Sequence, residues 1–264
     1  MLADSLARAL DLAVAAALAP RTRILATFRS PALQAEAKAD GSPVTAADRE
    51  AERIVRTTLR ASAEFGAIQI LGEAAGLDGA ASAYRWIVDP IDGTRAYTRG
   101  LPTFGTIVAL EETATGRALV GVIHLPATGE TVSAARGAGA FRDGVRAYAS
   151  CADRLDDAII SAPDLAQFRE AGCPQLYSRL HGSYERVRGY TDCWAHVQAV
   201  GGSVDVVVEP GLSPWDIRAT QVLIEEAGGK QLVRPSRGGG KVDTIFGSPA
   251  LVDLLAASLQ FECP

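Results

Sequence analysis

The chain has 264 residues, of which 48% are apolar and 22% charged, and this composition predicts a globular protein with one large domain or two smaller ones. Its net charge of −5, from 26 basic and 31 acidic side chains, excludes the basic surface that nucleic acid requires. The cysteines show no CxxC spacing, which argues against a zinc site; they are Cys151, Cys173, Cys193 and Cys263.

The N-terminal segment is rich in alanine and leucine and predicts a helix from about residue 2 to residue 28, interrupted at Pro20. Asp4, Arg8 and Asp11 make its first half too polar to cross a membrane. No basic stretch precedes it, as one would in a signal peptide. We therefore expect an amphipathic helix in a cytoplasmic protein whose cysteines are reduced thiols.

A second helix is predicted to follow Thr45 and to end near residue 63. Thr45 precedes Asp48 by three residues, which is close to a capping box, in which each side chain accepts a hydrogen bond from the backbone of the other residue. Capping alone would account for both side chains. Any further role of Asp48 therefore depends on other parts of the sequence.

The first half is predicted to contain strands at 67–71, 84–89, 106–111, 118–124 and 130–135. Turns at 115–116 and 127–129 would join the last three as antiparallel hairpins. The second half is predicted to contain strands near 158–161, 185–188, 204–209 and 244–247, and helices starting near Asp164, Thr191, Ser213 and Pro249. Because helices come first and strands cluster later, the pattern favours an α+β fold over strict alternation.

The segment from Trp86 to Thr94 carries the most specific chemical signal of the chain. An apolar strand ends in Asp89 and Asp92, which offer the hard oxygen ligands that magnesium takes. Gly93 lets the backbone approach a ligand closely, and exposed amides there can bind an oxyanion. An Asp-Gly pair alone is most often only a turn, so the remaining segments decide between a turn and a metal site.

Two further carboxylates are placed where they can join this turn. Glu73 comes directly after a predicted strand, as Asp89 does, although a solvated loop residue is the plainer interpretation. Asp216 lies in the first turn of a helix marked by Ser213 before its start and Gly228 after its end. There Asp216 can simply favour the helix dipole, or it can bind a metal.

Four segments, in this order along the chain, resemble the signatures of the inositol monophosphatase-like family of metal-dependent, lithium-sensitive phosphatases: 38–48, 71–73, 86–94 and 213–229. The resemblance implies a layered αβαβα sandwich and two or three Mg²⁺ ions per site. It implies that the metal ligands are Glu73, Asp89, the carbonyl of Ile91, Asp92 and Asp216. The family usually has a second acid after the first of these ligands, and Ala74 in its place affects the weaker metal positions.

The resemblance also implies roles in the chemistry. Asp48 would accept a hydrogen bond from Thr94, and the pair would orient the water that attacks phosphorus in line. The amides of Gly93 and Thr94 would stabilise charge on the phosphoryl oxygens, and Asp216 would also contact the substrate. No covalent phosphoenzyme is expected, because no cysteine or serine lies in an activated nucleophile motif.

The segment after residue 185 bears on the substrate. Thr191, Asp192 and Cys193 are followed by an aromatic residue, which resembles the histidinol-phosphate phosphatase branch of the family, with Thr191 in place of the usual glycine. Asp192 would suit a cationic leaving group, and Arg188 would contact the substrate in the same pocket. The alternative for Asp192 is a first-turn helix charge after the N-cap Thr191. The histidines His124, His181 and His196 are not needed by the mechanism and are expected to be structural or exposed.

We therefore expect a Mg²⁺-dependent phosphomonoesterase that hydrolyses histidinol phosphate in histidine biosynthesis. An inositol monophosphatase or a 3′-phosphoadenosine nucleotide phosphatase is the alternative within the family, and a non-catalytic metal-binding regulatory protein is the alternative outside it. Residues 1–144 would carry most metal ligands, and residues 145–264 the specificity residues and one ligand. The expected partners are a small phosphorylated metabolite and a second copy of the chain in a homodimer, without nucleic acid or membrane.

Overall fold

The computed structural model describes residues 3–30, 33, 35–37, 43–237 and 240–261. The predictions that concern residue 2, the segment 38–42 and Cys263 lie outside the described residues. Within the described ranges, no helix is both long and apolar enough to cross a membrane.

The helices of the described residues are α1 (Ala3–Leu18), α2 (Arg21–Thr27), α3 (Ala46–Arg60), α4 (Thr94–Thr98), α5 (Leu165–Glu170), α6 (Pro174–Ser183), α7 (Asp192–Val200), α8 (Pro214–Glu226) and α9 (Pro249–Leu259). The interruption predicted at Pro20 is confirmed, because α1 ends and α2 begins on either side of it. The predicted starts at Asp164, Thr191 and Ser213 are the N-caps of α5, α7 and α8. Two short helices, α4 and α6, were not predicted.

The strands of the described residues are β1 (Ala35–Ala37), β2 (Pro43–Thr45), β3 (Gln69–Gly72), β4 (Gly76–Asp78), β5 (Tyr84–Asp92), β6 (Gly105–Glu112), β7 (Arg117–Leu125), β8 (Glu130–Ala135), β9 (Gly139–Arg142), β10 (Val145–Arg146), β11 (Ile160–Ser161), β12 (Val187–Arg188), β13 (Val206–Leu212), β14 (Lys230–Pro235) and β15 (Val242–Gly247). They form a two-stranded sheet, an eight-stranded sheet in the order β10-β9-β8-β7-β6-β5-β3-β4 and a five-stranded sheet in the order β12-β11-β13-β15-β14.

Both predicted hairpins are present, since β6 pairs antiparallel with β7 and β7 with β8. The sequence pattern missed the edge strands β4, β10 and β14, among others. β14 reads Lys-Gln-Leu-Val-Arg-Pro, and its polar residues and proline interrupt the apolar pattern. Such residues are typical of sheet edges, where they prevent pairing with another chain. Edge strands are therefore the hardest strands to predict from apolar periodicity.

The elements stack in five layers, which confirms the predicted αβαβα sandwich. Helices α1 and α3 pack on one face of the eight-stranded sheet, and α7 and α8 lie between the two large sheets. Helices α5, α6 and α9 lie against the other face of the five-stranded sheet. Four alanines of α1 at helical spacing are fully buried, and their small size brings the helix close to the sheet: Ala9, Ala13, Ala16 and Ala17.

The boundary predicted at residue 144 falls inside a hairpin. Asp143 and Gly144 both have left-handed backbone angles, with φ of 51° and 78°, and join β9 to β10 at the edge of the eight-stranded sheet. In addition, α8 comes from the second half of the chain but packs on β6 and β7 of the first half. The two halves thus share a layer and an apolar core, and the boundary itself stays a prediction.

Candidate active site

A β-bulge at the end of β5 directs two carboxylates to the same side of the sheet. Asp89 pairs with Ile107 but Asp92 pairs with Gly105, so β5 has one extra residue between them. In a regular strand, residues three apart would face opposite sides, and the extra residue cancels this alternation. Pro90 lies within the bulge, where its missing N–H is not needed for pairing. Asp89 and Asp92, which are three residues apart in the sequence, can therefore face the same side of the sheet only because of this bulge.

Three carboxylates meet at this point. Asp89, Asp92 and Asp216 each offer an oxygen, and these oxygens lie within 4.8 Å of one another. Asp216 comes from the first turn of α8, where its Oδ2 also accepts a hydrogen bond of 2.7 Å from the backbone N–H of Ser213. Glu73 follows β3 and is close enough for its charge to act on both Asp89 and Asp216. Asp216 thus lies in the first turn of α8, as predicted, and the same carboxylate both joins the acidic cluster and accepts from the N-cap residue of the helix.

The cluster is electrostatically unfavourable without a cation. Burial raises the pKa of Asp89 well above its ordinary value, and the charges of Glu73, Asp92 and Asp216 raise it further. Burial also raises the pKa of Asp216 to about 7, although the N–H of Ser213 opposes this shift. A divalent cation would reverse this balance, because it favours the ionised carboxylates. A buried, all-oxygen set of donors fits a hard cation such as Mg²⁺.

The predicted hydrogen bond between Thr94 and Asp48 is present, with 3.3 Å between Thr94 Oγ1 and Asp48 Oδ1. Thr94 begins α4, directly after Gly93, whose φ of 80° is left-handed. A side chain at Gly93 would also come within 2.9 Å of the carbonyl oxygen of Thr103, so glycine is required there on two counts. Thr94 Oγ1 lies 3.0 Å from the carbonyl oxygen of Ile91, which was predicted as a metal ligand.

Asp48 is fully buried, and the N-terminus of α3 holds it in place. Its Oδ2 accepts hydrogen bonds from the backbone N–H of Thr45 at 2.8 Å and from the Thr45 hydroxyl at 2.6 Å. Thr45 in turn accepts from the backbone N–H of Asp48, which completes the capping box. The capping interpretation is therefore correct, and it leaves the other oxygen of Asp48 directed at Thr94.

A buried glutamate on α3, Glu52, anchors the turn that carries Glu73, and the sequence pattern did not single it out. Its carboxylate accepts hydrogen bonds from the backbone N–H of Ala74 at 2.7 Å and of Ala75 at 3.2 Å. Arg56, one helical turn later, donates to the same carboxylate at 2.7 Å. The (i, i+4) spacing of Glu52 and Arg56 on a predicted helix indicates this ion pair, but it does not show that Glu52 also holds the turn.

A cavity of about 500 Å³ opens from the acidic cluster. Its wall contains most of the predicted site residues, namely Glu73, Asp89, Ile91, Asp92, Gly93, Thr94, Asp192 and Asp216. Arg188 does not line it and is exposed on β12. The wall also contains polar residues that the sequence pattern missed, including Arg95, Arg99, Gln167, Glu209 and Lys241. These residues lie on four separate parts of the chain, namely α4 and its end, α5, β13 and the loop before β15, so only the fold brings them together.

Asp192 lines the cavity at the start of α7 with a left-handed φ of 57°, which is unusual for a residue other than glycine. Its Oδ2 accepts a hydrogen bond of 2.9 Å from the hydroxyl of Thr191. Burial raises the pKa of Asp192 to about 6, and the charge of Glu209 adds to the shift. The next residue, Cys193, donates its backbone N–H to the carboxylate of Asp92 and so links α7 to the acidic cluster.

His196 lies one helical turn after Asp192 and is buried in the same cavity wall. Its Nε2 lies 2.9 Å from Oε2 of Glu209, and its Nδ1 lies 2.7 Å from the hydroxyl of Thr220. His196 is thus a structural histidine, as expected. Its structural role is to hold the carboxylate of Glu209, which lines the cavity. His124 is buried and bonded to the backbone of Glu130, and His181 is exposed, both as expected.

Comparisons with known proteins identify related sequences and folds. A family profile described as "Inositol monophosphatase family" matches residues 5–253. A histidinol-phosphatase from Mycobacterium tuberculosis is 37% identical over 227 residues, which are 83% of this chain and 86% of that protein. An inositol-1-monophosphatase from Rhizobium meliloti is 35% identical over 222 residues, which are 79% of this chain and 78% of that protein. The crystal structure of extragenic suppressor protein suhB from Bartonella henselae has a TM-score of 0.85 at 26% identity and covers 96% of this chain and 98% of that one.

Proposed function

The chain belongs to the inositol monophosphatase family and is a phosphatase of phosphoric monoesters, and we propose that it hydrolyses histidinol phosphate with Mg²⁺ as cofactor. The observation that carries this substrate is the pair of carboxyl groups, Asp192 and Glu209, in the cavity beside the acidic cluster. Histidinol phosphate has a primary amine and an imidazole beside its phosphate ester. Carboxylates are suited to bind both groups, whereas inositol offers only hydroxyls.

In this proposal the phosphate end of the substrate lies at the acidic cluster. Two or three Mg²⁺ ions would be held by Glu73, Asp89, the carbonyl of Ile91, Asp92 and Asp216. Bound magnesium would neutralise charge on the phosphoryl oxygens and the leaving group and make water a better nucleophile. The oxygen-only donors and the raised pKa values of Asp89 and Asp92 support a divalent cation here.

Thr94 and Asp48 would orient the attacking water. The single proton of the Thr94 hydroxyl can go to Asp48 Oδ1 at 3.3 Å or to the carbonyl oxygen of Ile91 at 3.0 Å. In this proposal it goes to Asp48, because the Ile91 carbonyl would bind a metal, and the lone pairs of Thr94 Oγ1 can then accept a hydrogen bond from water. Asp48 cannot turn away, because the backbone and side chain of Thr45 hold its other oxygen. A water bound in this way keeps a lone pair directed at phosphorus, which is the requirement for in-line attack.

Beside the acidic cluster, Asp192 and Glu209 would bind the leaving group. Glu209 is buried, and His196 fixes one of its oxygens, so its position does not depend on the substrate. An amine held between two such carboxylates gains charge-assisted hydrogen bonds that a neutral alcohol cannot make. Arg188, predicted to contact the substrate, would have to act from outside this cavity wall.

A phosphate-release assay in saturating Mg²⁺ tests the proposal. The panel contains histidinol phosphate, inositol phosphates, 3′-phosphoadenosine nucleotides and glycerol phosphate. We expect the highest kcat/KM with histidinol phosphate and no turnover in EDTA. A clear preference for an inositol phosphate or a nucleotide would refute the substrate but not the phosphatase activity.

The second candidate is inositol phosphate, favoured by the 35% identity to an inositol-1-monophosphatase. The same panel distinguishes the two. A non-catalytic regulatory protein is disfavoured by the intact acidic cluster and by the bond between Thr94 and Asp48. Lack of turnover with every ester in Mg²⁺ would restore that alternative.

A further inference from the structure

A second cavity, of about 440 Å³, lies between α6, β14 and the end of α9. It shares no lining residue with the cavity of the acidic cluster. Three arginines line it, Arg179 of α6 together with Arg234 and Arg237 of β14 and the turn after it, and Asp243 is the single acid among its described lining residues. This cationic surface is unexpected in a chain with a net charge of −5.

Neighbouring residues place the guanidinium groups without using all their donors. Arg179 Nη1 donates to the carbonyl oxygen of Leu259 at 3.2 Å and to Gln260 Oε1 at 2.9 Å. Arg234 Nε donates to Asp243 Oδ2 at 3.1 Å, and its guanidinium lies 4.2 Å from the centre of the Phe261 ring. Each guanidinium has five N–H donors, so both arginines keep several for a ligand.

The third arginine supplies charge that no described residue neutralises. The stem of Arg237 packs beside Gly172, and Arg237 makes no hydrogen bond or ion pair with another described residue. Burial raises the pKa of the neighbouring Cys173 thiol to about 11, so Cys173 adds no negative charge at neutral pH. The cavity therefore carries three permanent positive charges against one carboxylate, Asp243.

From this arrangement we infer that the second cavity is a binding site for a dianionic oxyanion, such as the phosphate group of a small metabolite, separate from the catalytic site. Guanidinium groups bind phosphate oxygens through pairs of parallel hydrogen bonds. Leu176 and Leu259 form apolar parts of the wall, against which the rest of such a metabolite can pack.

One buried residue connects this site to the catalytic cavity. Asp243 is buried and accepts from Arg234 through Oδ2 and from the backbone N–H of Gly211 through Oδ1, at 3.1 Å. Gly211 lines the catalytic cavity and lies two residues after Glu209 on β13. An anion that draws Arg234 towards itself weakens the hold of Asp243 on this strand. Occupancy of the arginine site therefore raises KM for the phosphate ester.

Sulfate binding to the full chain in EDTA tests the site, because without metal the acidic cluster repels anions. Calorimetry or NMR titration should show one sulfate site in the parent. Arg179→Gln and Arg237→Gln should each weaken it by about tenfold, and the double variant should abolish it. Arg154→Gln, with a side chain 72% exposed and outside both cavities, is the matched control and should bind as the parent does. Equal sulfate affinity of parent and double variant, or binding by neither, would overturn the site.

Steady-state kinetics of the Mg²⁺-loaded enzyme test the connection. Sulfate that competes with substrate at the metals raises KM in proportion to the sulfate concentration. Sulfate at the arginine site instead raises KM by a further factor of about five or more, which reaches a plateau once that site is full. The double variant should lose the saturating part and keep the linear part, with kcat and thermal unfolding as in the parent. A purely linear increase in both proteins would overturn the connection between the two cavities.

Discussion

Asp48 has two functions at the residue scale because its two oxygens have different partners. Oδ2 closes the capping box with Thr45, and Oδ1 faces the hydroxyl of Thr94. The stability of α3 and the orientation of Thr94 therefore depend on the same buried carboxylate. Substituting Asp48 would disturb both, so Thr94 is the better position at which to test the chemistry.

Thr94→Ala should lower kcat by about 10²–10⁴, the usual range for general acid–base assistance, because the attacking water loses the hydroxyl that orients it. The Mg²⁺ concentration for half-maximal activity should change little. The Thr94→Ser variant keeps the hydroxyl and should therefore keep most of the parent kcat. If Thr94→Ala keeps the parent kcat, Thr94 has no part in orienting the water.

Asp92→Asn should remove most of the activity in saturating Mg²⁺, because it removes one charge from the metal site. Without metal, the same variant should be more stable than the parent, since it relieves repulsion among Asp89, Asp92 and Asp216. Thermal unfolding in EDTA should show an increase of about 2–4 °C for each kcal/mol of repulsion removed. A variant that turns over at the parent rate would contradict the metal assignment.

Asp192→Asn should reduce kcat/KM for histidinol phosphate by roughly five- to a hundredfold, because the substrate amine loses a partly desolvated ionic partner worth about 1–3 kcal/mol. Glycerol phosphate, whose leaving group is the neutral alcohol glycerol, is the control substrate, and its kcat/KM should fall much less. Equal losses on the two esters would indicate a general defect and would count against Asp192 as a specificity residue.

At the scale of elements, α3 organises the site from two points along its length. Its N-terminus holds Asp48, and one turn later Glu52 holds the backbone N–H groups of Ala74 and Ala75. A side chain at Gly72 would come within 2.0 Å of the Glu52 carboxylate, so glycine is needed for this close approach. The turn after β3, which carries Glu73, is therefore held by contacts with α3, and its own sequence contributes the glycine that permits them.

Glu52→Gln should weaken Mg²⁺ binding by about tenfold, because its amide group presents a donor where the turn and Arg56 require an acceptor, and Glu73 loses its support. The Mg²⁺ dependence of phosphate release measures this change. Glu50→Gln, on the same helix with a side chain 35% exposed and paired with Arg53 at 2.9 Å, is the matched control and should leave the Mg²⁺ dependence unchanged. The same Mg²⁺ dependence in both variants would show that Glu52 does not support the site.

At the scale of the whole molecule, the acidic cluster is assembled from both large sheets. Asp89 and Asp92 end a strand of the eight-stranded sheet, whereas Asp216 begins α8, which follows β13 of the five-stranded sheet. The apolar core between the sheets brings these segments together against the repulsion of their charges. Repulsion among these carboxylates therefore offsets part of the folding free energy, and a bound metal would relieve it.

The metal-free protein should lose stability as the pH rises from about 5 to 8. Folding raises the pKa of the clustered aspartates, to about 7 for Asp216 and about 6 for Asp192, so the folded state binds protons more tightly than the unfolded state. The free energy of unfolding then falls from the unfolded pKa near 3.8 up through these folded values.

Thermal unfolding across this pH range, in EDTA and in Mg²⁺, measures the effect. Mg²⁺ should remove most of the decline, because the ionised carboxylates then have a partner. Asp92→Asn should show a shallower decline than the parent in EDTA. A metal-free parent whose stability rises over this range would contradict the raised pKa values.

The sequence by itself determined the elements with strong local patterns. β8 has the predicted bounds, the capping box at Thr45 is present, and the order of the four segments identified the family and its sandwich fold. These features depend on side-chain periodicity and on backbone hydrogen bonds between near neighbours, so they can be predicted without the rest of the chain. The homodimer and the lithium sensitivity stay predictions.

Only the tertiary structure decided which distant groups meet. Nothing near Glu52 in the sequence shows that it holds the turn of Glu73, and nothing near His196 shows that it holds Glu209. The same is true of Arg188, which matched a motif yet lies outside the cavity wall. The physical reason is that packing of the two sheets around α7 and α8 sets these contacts, and packing depends on the shape and volume of side chains throughout the core, which no local pattern records.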